Sequence, residues 1–132
     1  MKKFAILAAI ALAFVSCVTV SYAPQGSVFL GARTVGYRTE RGGVGVGNYD
    51  GWFRALYFEV EQNDIELYDV VVVYGNGQRE RLGTRLVFDS GSRSRIIPIE
   101  GGRRRIRAIE FSYRTVSTWA DGKARILVYG IR

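Results

Sequence analysis

The chain has 132 residues, a formal charge of +7, no histidine and a single cysteine. That length suits one domain with a core large enough to stand without metal or disulfide. The composition excludes histidine acid–base chemistry and histidine metal ligation, and one cysteine excludes an internal disulfide.

The chain opens with Met1, Lys2 and Lys3 ahead of an unbroken apolar run from Phe4 to Val15, followed by small and polar residues. This is the pattern of a secretory signal peptide: a basic end held in the cytoplasm, an apolar stretch for the translocon and small residues for the peptidase. A spanning helix needs about 20 apolar residues, so the run is too short for an anchor. Two cleavage sites fit. Phe14-Val15-Ser16-Cys17 resembles the lipobox of bacterial lipoproteins, with Phe14 where that pattern usually has Leu, and predicts a leader over 1–16 and lipidation at Cys17. Cleavage after Ala23 would instead remove 1–23 and leave Pro24 first, a poor peptidase substrate because proline fixes φ and removes an N–H. Residues 17–27 then read as a lipid-anchor and linker segment, and 28–132 as a single domain.

From residue 27 onward no helical period persists. Runs rich in Val, Ile, Tyr and Phe alternate with glycine-containing turns about every ten residues, the pattern of an antiparallel two-sheet β-sandwich of jelly-roll or immunoglobulin-like type. The expected strands are 28–38, 42–47, 52–61, 64–74, 79–89, 93–99, 105–115 and 123–131. Asn76-Gly77 and Asp121-Gly122 predict two-residue type I′ hairpin turns, and Gln62-Asn63 predicts a third turn. Ile106 is out of step with Ile109, Phe111 and Tyr113, so a bulge or a short turn near Arg107-Ala108 would turn all four inward. Val70 to Val73 are apolar on both faces and predict a central strand covered on both sides.

Candidate sites follow from charge and aromatic clustering. Of the 19 basic residues 16 are arginine, and the leader takes only Lys2 and Lys3 with it, leaving 17 basic against 12 acidic residues, a charge of +5. An exported arginine-rich surface suits lipid phosphate, acidic glycan or protein carboxylate, which guanidinium grips in bidentate fashion, and export argues against nucleic acid. Arg93, Arg95, Arg103, Arg104, Arg105 and Arg107 form the candidate anion-binding set. Tyr49, Trp52, Phe53 and Tyr57 form the candidate glycan-stacking set. The glycine run Gly42 to Gly51 lacks the spacing and following helix of a phosphate loop and reads as an edge strand. The carboxylate pairs Glu59 with Glu61 and Glu66 with Asp69 lie at ordinary strand spacing, so no catalytic residue, metal or cofactor is expected.

The stretches "FLGARTV", "RALYFEVEQNDIELYDVVVVYGNGQ", "SRIIPIEGGRRRIRAIEFSYRT" and "ARILVYG" resemble small exported bacterial all-β proteins of a domain-of-unknown-function family with a lipoprotein-like signal peptide. The resemblance implies the sandwich and carries no functional residue. The expectation is a non-catalytic exported envelope protein, membrane-anchored through Cys17, or periplasmic or secreted if unlipidated, serving as a binding or structural module. The alternatives are a carbohydrate- or anionic-glycan-binding module and, further off, a carboxylate-dependent hydrolase.

Overall fold

The computed structural model describes residues 22–36, 40–47, 51–83, 85–115 and 123–132. Ten strands are described: β1 (Ser27–Val35), β2 (Glu40–Gly45), β3 (Trp52–Phe53), β4 (Ala55–Glu61), β5 (Ile65–Tyr74), β6 (Arg79–Leu82), β7 (Leu86–Phe88), β8 (Ile97–Pro98), β9 (Arg104–Thr115) and β10 (Ala124–Ile131). They form two antiparallel sheets. One runs β1-β10-β4-β8; the other runs β2-β9-β5-β6, with β3 also on β9 and β7 also on β5. The all-β sandwich expected from the strand pattern is the fold.

Alternation along each strand builds the core between the sheets. Phe58, Val60, Ile65, Leu67, Ile109 and Ile126 are fully buried there, each contributing about 1.5–3 kcal/mol relative to exposure. The bulge expected in β9 is present: Tyr74 faces Ile106 while Val73 faces Ala108, leaving Arg107 as the extra residue. Ile106, Ile109, Phe111 and Tyr113 are accordingly all buried. Phe53 lies against β10 so closely that a Cβ on Gly130 would sit 2.5 Å from its ring, so only glycine fits there.

A second bulge accounts for the apolar run in β5. Asp69 has a positive φ of 59°, and the register skips from Tyr68 opposite Ser112 to Val71 opposite Glu110. The extra residue reverses the phase, so Ile65 and Leu67 point inward before it and Val70 and Val72 after it. Val71 and Val73 then fall on the outer face of a strand that is central in its sheet, Val73 buried and Val71 half-buried, so the cover expected on both sides is complete at Val73 and partial at Val71. The same bulge breaks the strand beside it. One strand over 79–89 was expected, but β6 pairs with Val70–Val73 and β7 with Ile65–Leu67, on either side of the kink.

Both expected type I′ hairpins differ from the expectation. The β5–β6 hairpin forms, but only Gly77 has a positive φ (87°); Gly77 N–H donates to Tyr74 O at 2.9 Å and Tyr74 N–H to Gln78 O at 2.8 Å. The loop is therefore Gly75-Asn76-Gly77, three residues ending in a left-handed glycine. The turn expected at Gln62-Asn63 is present, with a positive φ at Gln62 (80°), and because β4 and β5 lie in different sheets it carries the chain across the sandwich. Asp121-Gly122 lies outside the described residues; its flanking strands β9 and β10 belong to different sheets and are no hairpin. The expected strand over 52–61 likewise divides at Arg54, with β3 joining β9 and β4 joining β10, a corner where one extended run switches sheets. Of the strand expected over 93–99, only β8 and an isolated bridge from Arg93 to Glu59 form.

Candidate functional site

Strand register assembles the outer face of the larger sheet in four rows. Across β2, β9, β5 and β6 run Gly45, Ala108, Val73 and Arg79, then Gly43, Glu110, Val71 and Arg81. Arg41, Ser112 and Tyr68 make the next row, and Arg114, Glu66 and Val87 the last. Glycine and alanine leave the middle of this face low, and arginines stand around it. The result is a trough of about 580 Å³ whose charged walls are Arg33, Arg41, Arg79, Arg81, Asp69 and Glu110. A second hollow of about 380 Å³, lined by Glu66, Tyr68, Arg85 and Arg114, adjoins it where Tyr68 pairs with Ser112.

The charges are arranged so that cations outnumber their partners. Arg79 pairs with Glu110 and Arg81 with Asp69, all on exposed or half-exposed side chains. Such pairs contribute about 0–1 kcal/mol, so an incoming anion can take over an arginine at little cost. Arg41 is exposed and has no ion-pair partner among the described residues. Glu66 is the exception, its side chain only 5% exposed beneath Arg85 and Arg114. Arg85 donates to one carboxylate oxygen and Arg114 to the other, at 2.7 Å. These two donors, Arg85 first, hold the Glu66 carboxyl below the usual carboxylate range against the opposing effect of burial.

Chemically, the face offers planar guanidinium forks to carboxylate, sulfate or phosphate groups. At about 3.3 Å per residue, the length of β9 from Arg107 to Arg114 spans roughly 20 Å. That matches a run of polymer units better than one small ion.

The expected anion-binding set is divided between the two sheets. Arg93 lies on the outer side of the smaller sheet, donating to Glu59 at 2.8 Å and to Tyr22 O at 3.0 Å, with Arg95 exposed nearby in sequence. Arg104 covers the Tyr74 ring at 3.4 Å and donates to Gln78 at 2.7 Å. Burial and a hydrogen bond with Glu80 raise the Tyr74 phenol well above its ordinary value. Arg103, Arg105 and Arg107 are exposed, and Arg105 and Arg107 continue the charged face at the start of β9. Arg33, Arg41, Arg79 and Arg81 of the trough, and Arg85 and Arg114 of the second hollow, were missed by reading charge along the chain. Arg79 and Arg81 do share a face at period two in "RERL", which was the one signal available.

The expected aromatic set separates too. Tyr49 and Cys17 lie outside the described residues. Trp52 is 58% exposed opposite Arg105, while Phe53 is fully buried in the core and unavailable for stacking on a sugar. Tyr57 is on the outer face of the smaller sheet, where register aligns Phe29, Tyr129 and Tyr57 across β1, β10 and β4. Tyr57 and Tyr129 stack at 4.8 Å, and Phe29 meets Tyr129 edge-on at 5.5 Å. Burial, then Glu59, raises the Tyr129 phenol. The Tyr57 hydroxyl is buried without a hydrogen-bond partner among the described residues, at a cost of about 1–3 kcal/mol.

A solved structure of AlgX from Pseudomonas aeruginosa aligns with 80% of this chain at 15% identity and a TM-score of 0.47. This chain spans 26% of that protein's length. Comparison with curated proteins gave no match. The family model for a domain of unknown function, DUF2541, matches residues 6–130. The chain belongs to the DUF2541 family, a domain of unknown function.

Proposed function

We propose that this protein is a non-catalytic binding module, exported and anchored in the cell envelope by lipidation of Cys17, whose larger sheet binds an acidic polysaccharide along its outer face. The observation that carries the reading is the trough framed by Arg41, Arg79 and Arg81 over a floor of glycine and alanine. Its cations exceed the carboxylates beside them, and its exposed ion pairs are easily exchanged. A polymer bearing one carboxylate per sugar would satisfy several guanidinium forks at once, and multivalency would add to the modest affinity of each contact.

Polygalacturonate, with neutral dextran as control, is the probe. Saturable binding of polygalacturonate that weakens with added salt is expected, with none to dextran. Equal binding of both polymers, or of neither, overturns the reading.

A further inference from the structure

The outer face of the larger sheet does not end at Ala108. One row further along β9, register sets Trp52 of β3 opposite Arg105, while on the other side of β9 the Gly75 N–H donates to Arg105 O at 2.8 Å. β3 therefore follows β2 along the same edge of β9. Phe53 points into the core, so alternation turns Trp52 onto the outer face, where it is 58% exposed. The lane beside β9 thus reads Gly43, Gly45 and then Trp52. A Cβ on Gly45 would meet no atom within 4 Å among the described residues, so the lane is open there.

The indole is held in place before anything binds. Trp52 and Phe53 both pair with β9, Phe53 is fully buried, and Arg54 N–H donates to Ile131 O at 2.8 Å. A platform fixed in this way loses little freedom on contact. The Arg105 stem leans toward β5, its Cβ 3.4 Å and its Cδ 3.6 Å from the place a Cβ on Gly75 would take. The row consequently presents a flat aromatic on one side of β9 and a cation on the other. An acidic sugar matches both, with the C–H face of its ring for the indole and its carboxylate for a guanidinium. A phosphate chain has no surface to match the indole.

We infer, resting on the acidic-polysaccharide reading of the trough, that Trp52 is the stacking platform for a sugar ring of that polymer, which runs along β9 from the trough to the indole. From Glu110 to Arg105 the strand covers about 15 Å, so a short run of sugars engages both. The chain has two tryptophans, Trp52 and Trp119, and Trp119→Phe in the full chain leaves Trp52 as the sole indole reporter. Its emission is followed during titration with polygalacturonate and, separately, with inorganic polyphosphate. Affinity for polygalacturonate is measured for the parent, Trp52→Ala and Trp52→Phe.

A saturable emission change with polygalacturonate and none with polyphosphate is expected. Trp52→Ala should weaken polygalacturonate about tenfold, and Trp52→Phe, which keeps a flat ring, should stay within about threefold of the parent. Polygalacturonate binding with unchanged emission and unchanged affinity in Trp52→Ala overturns the platform and leaves the trough standing. The same emission change with polyphosphate also overturns it, because the indole would then be sensing charge and no ring. A parent that does not bind polygalacturonate overturns the reading of the trough, and the platform with it. If Trp119→Phe unfolds, the affinities of the two Trp52 variants decide; if Trp52→Ala unfolds, the emission decides.

Discussion

The two outer faces of this sandwich obey the same alternation and have opposite chemistry. On the larger sheet the outward positions are arginine, glutamate, glycine and alanine, with Glu110 and Arg79 exposed to water. On the smaller sheet they include Phe29, Tyr129, Tyr57, Ala55 and Ile131, of which the last three are buried. A solvated face needs only to stay soluble; an apolar one forgoes that and must gain elsewhere. The difference teaches that stability and recognition are spread unevenly over this fold. Aromatic packing on one side contributes to stability, and guanidinium groups on the other are held loosely enough to bind.

The largest effect that tests this contrast is Tyr57→Ala, which removes a fully buried aromatic from its stack on Tyr129. A loss of about 3–5 kcal/mol in denaturant unfolding is expected; a loss below about 1 kcal/mol would put the outer cluster on a par with ordinary surface. Next is Arg41→Glu combined with Arg81→Glu. Polygalacturonate binding should fall at least tenfold, while stability stays within about 0.5 kcal/mol of the parent. A variant that unfolds would show these arginines to be structural.

Tyr57→Phe sharpens the comparison by subtraction. Deleting a buried hydroxyl without a partner should raise stability by up to about 1 kcal/mol, and a loss instead would reveal a bond to that oxygen. The smallest effect concerns pH. Glu66 has its carboxyl lowered by Arg85 and Arg114, so its stabilisation is present above the ordinary glutamate value of about 4.5 and is lost as pH falls through the lowered one. The melting-temperature gap between the parent and Glu66→Gln should therefore narrow on acidification below that value. A gap constant from neutral pH to strong acid would show that ionisation of Glu66 does not matter to the fold.

Local features were legible in the sequence, partners were not. The spacing of Ile106 and Ile109 called for a bulge or a short turn, because strict alternation cannot turn both inward, and the structure has the bulge, at Arg107. Strand positions followed from alternation in the same way. The strand through Arg54 was read as continuous because alternation fixes which way a side chain points relative to its own strand and is silent on which sheet the strand joins. A left-handed residue serves a hairpin and an inter-sheet crossing equally well, as Gln62 shows. The site suffered more. Arginines counted along the chain suggested one patch from Arg93 to Arg107, yet the chain changes sheet between them. Gly43, Glu110, Val71 and Arg81 meet only through the register of four strands. Phe29 and Tyr129 are 100 positions apart, and nothing local to either announces the other.

The most direct test of the two-face account is an amide chemical-shift titration of the isotopically labelled protein with polygalacturonate. Shifts concentrated at Gly43, Val71, Arg81, Ala108 and Glu110, saturating and reversed by salt, are the expected result. Shifts centred on Phe29, Tyr57 and Tyr129, with the trough unchanged, would contradict it and make the aromatic face the ligand site.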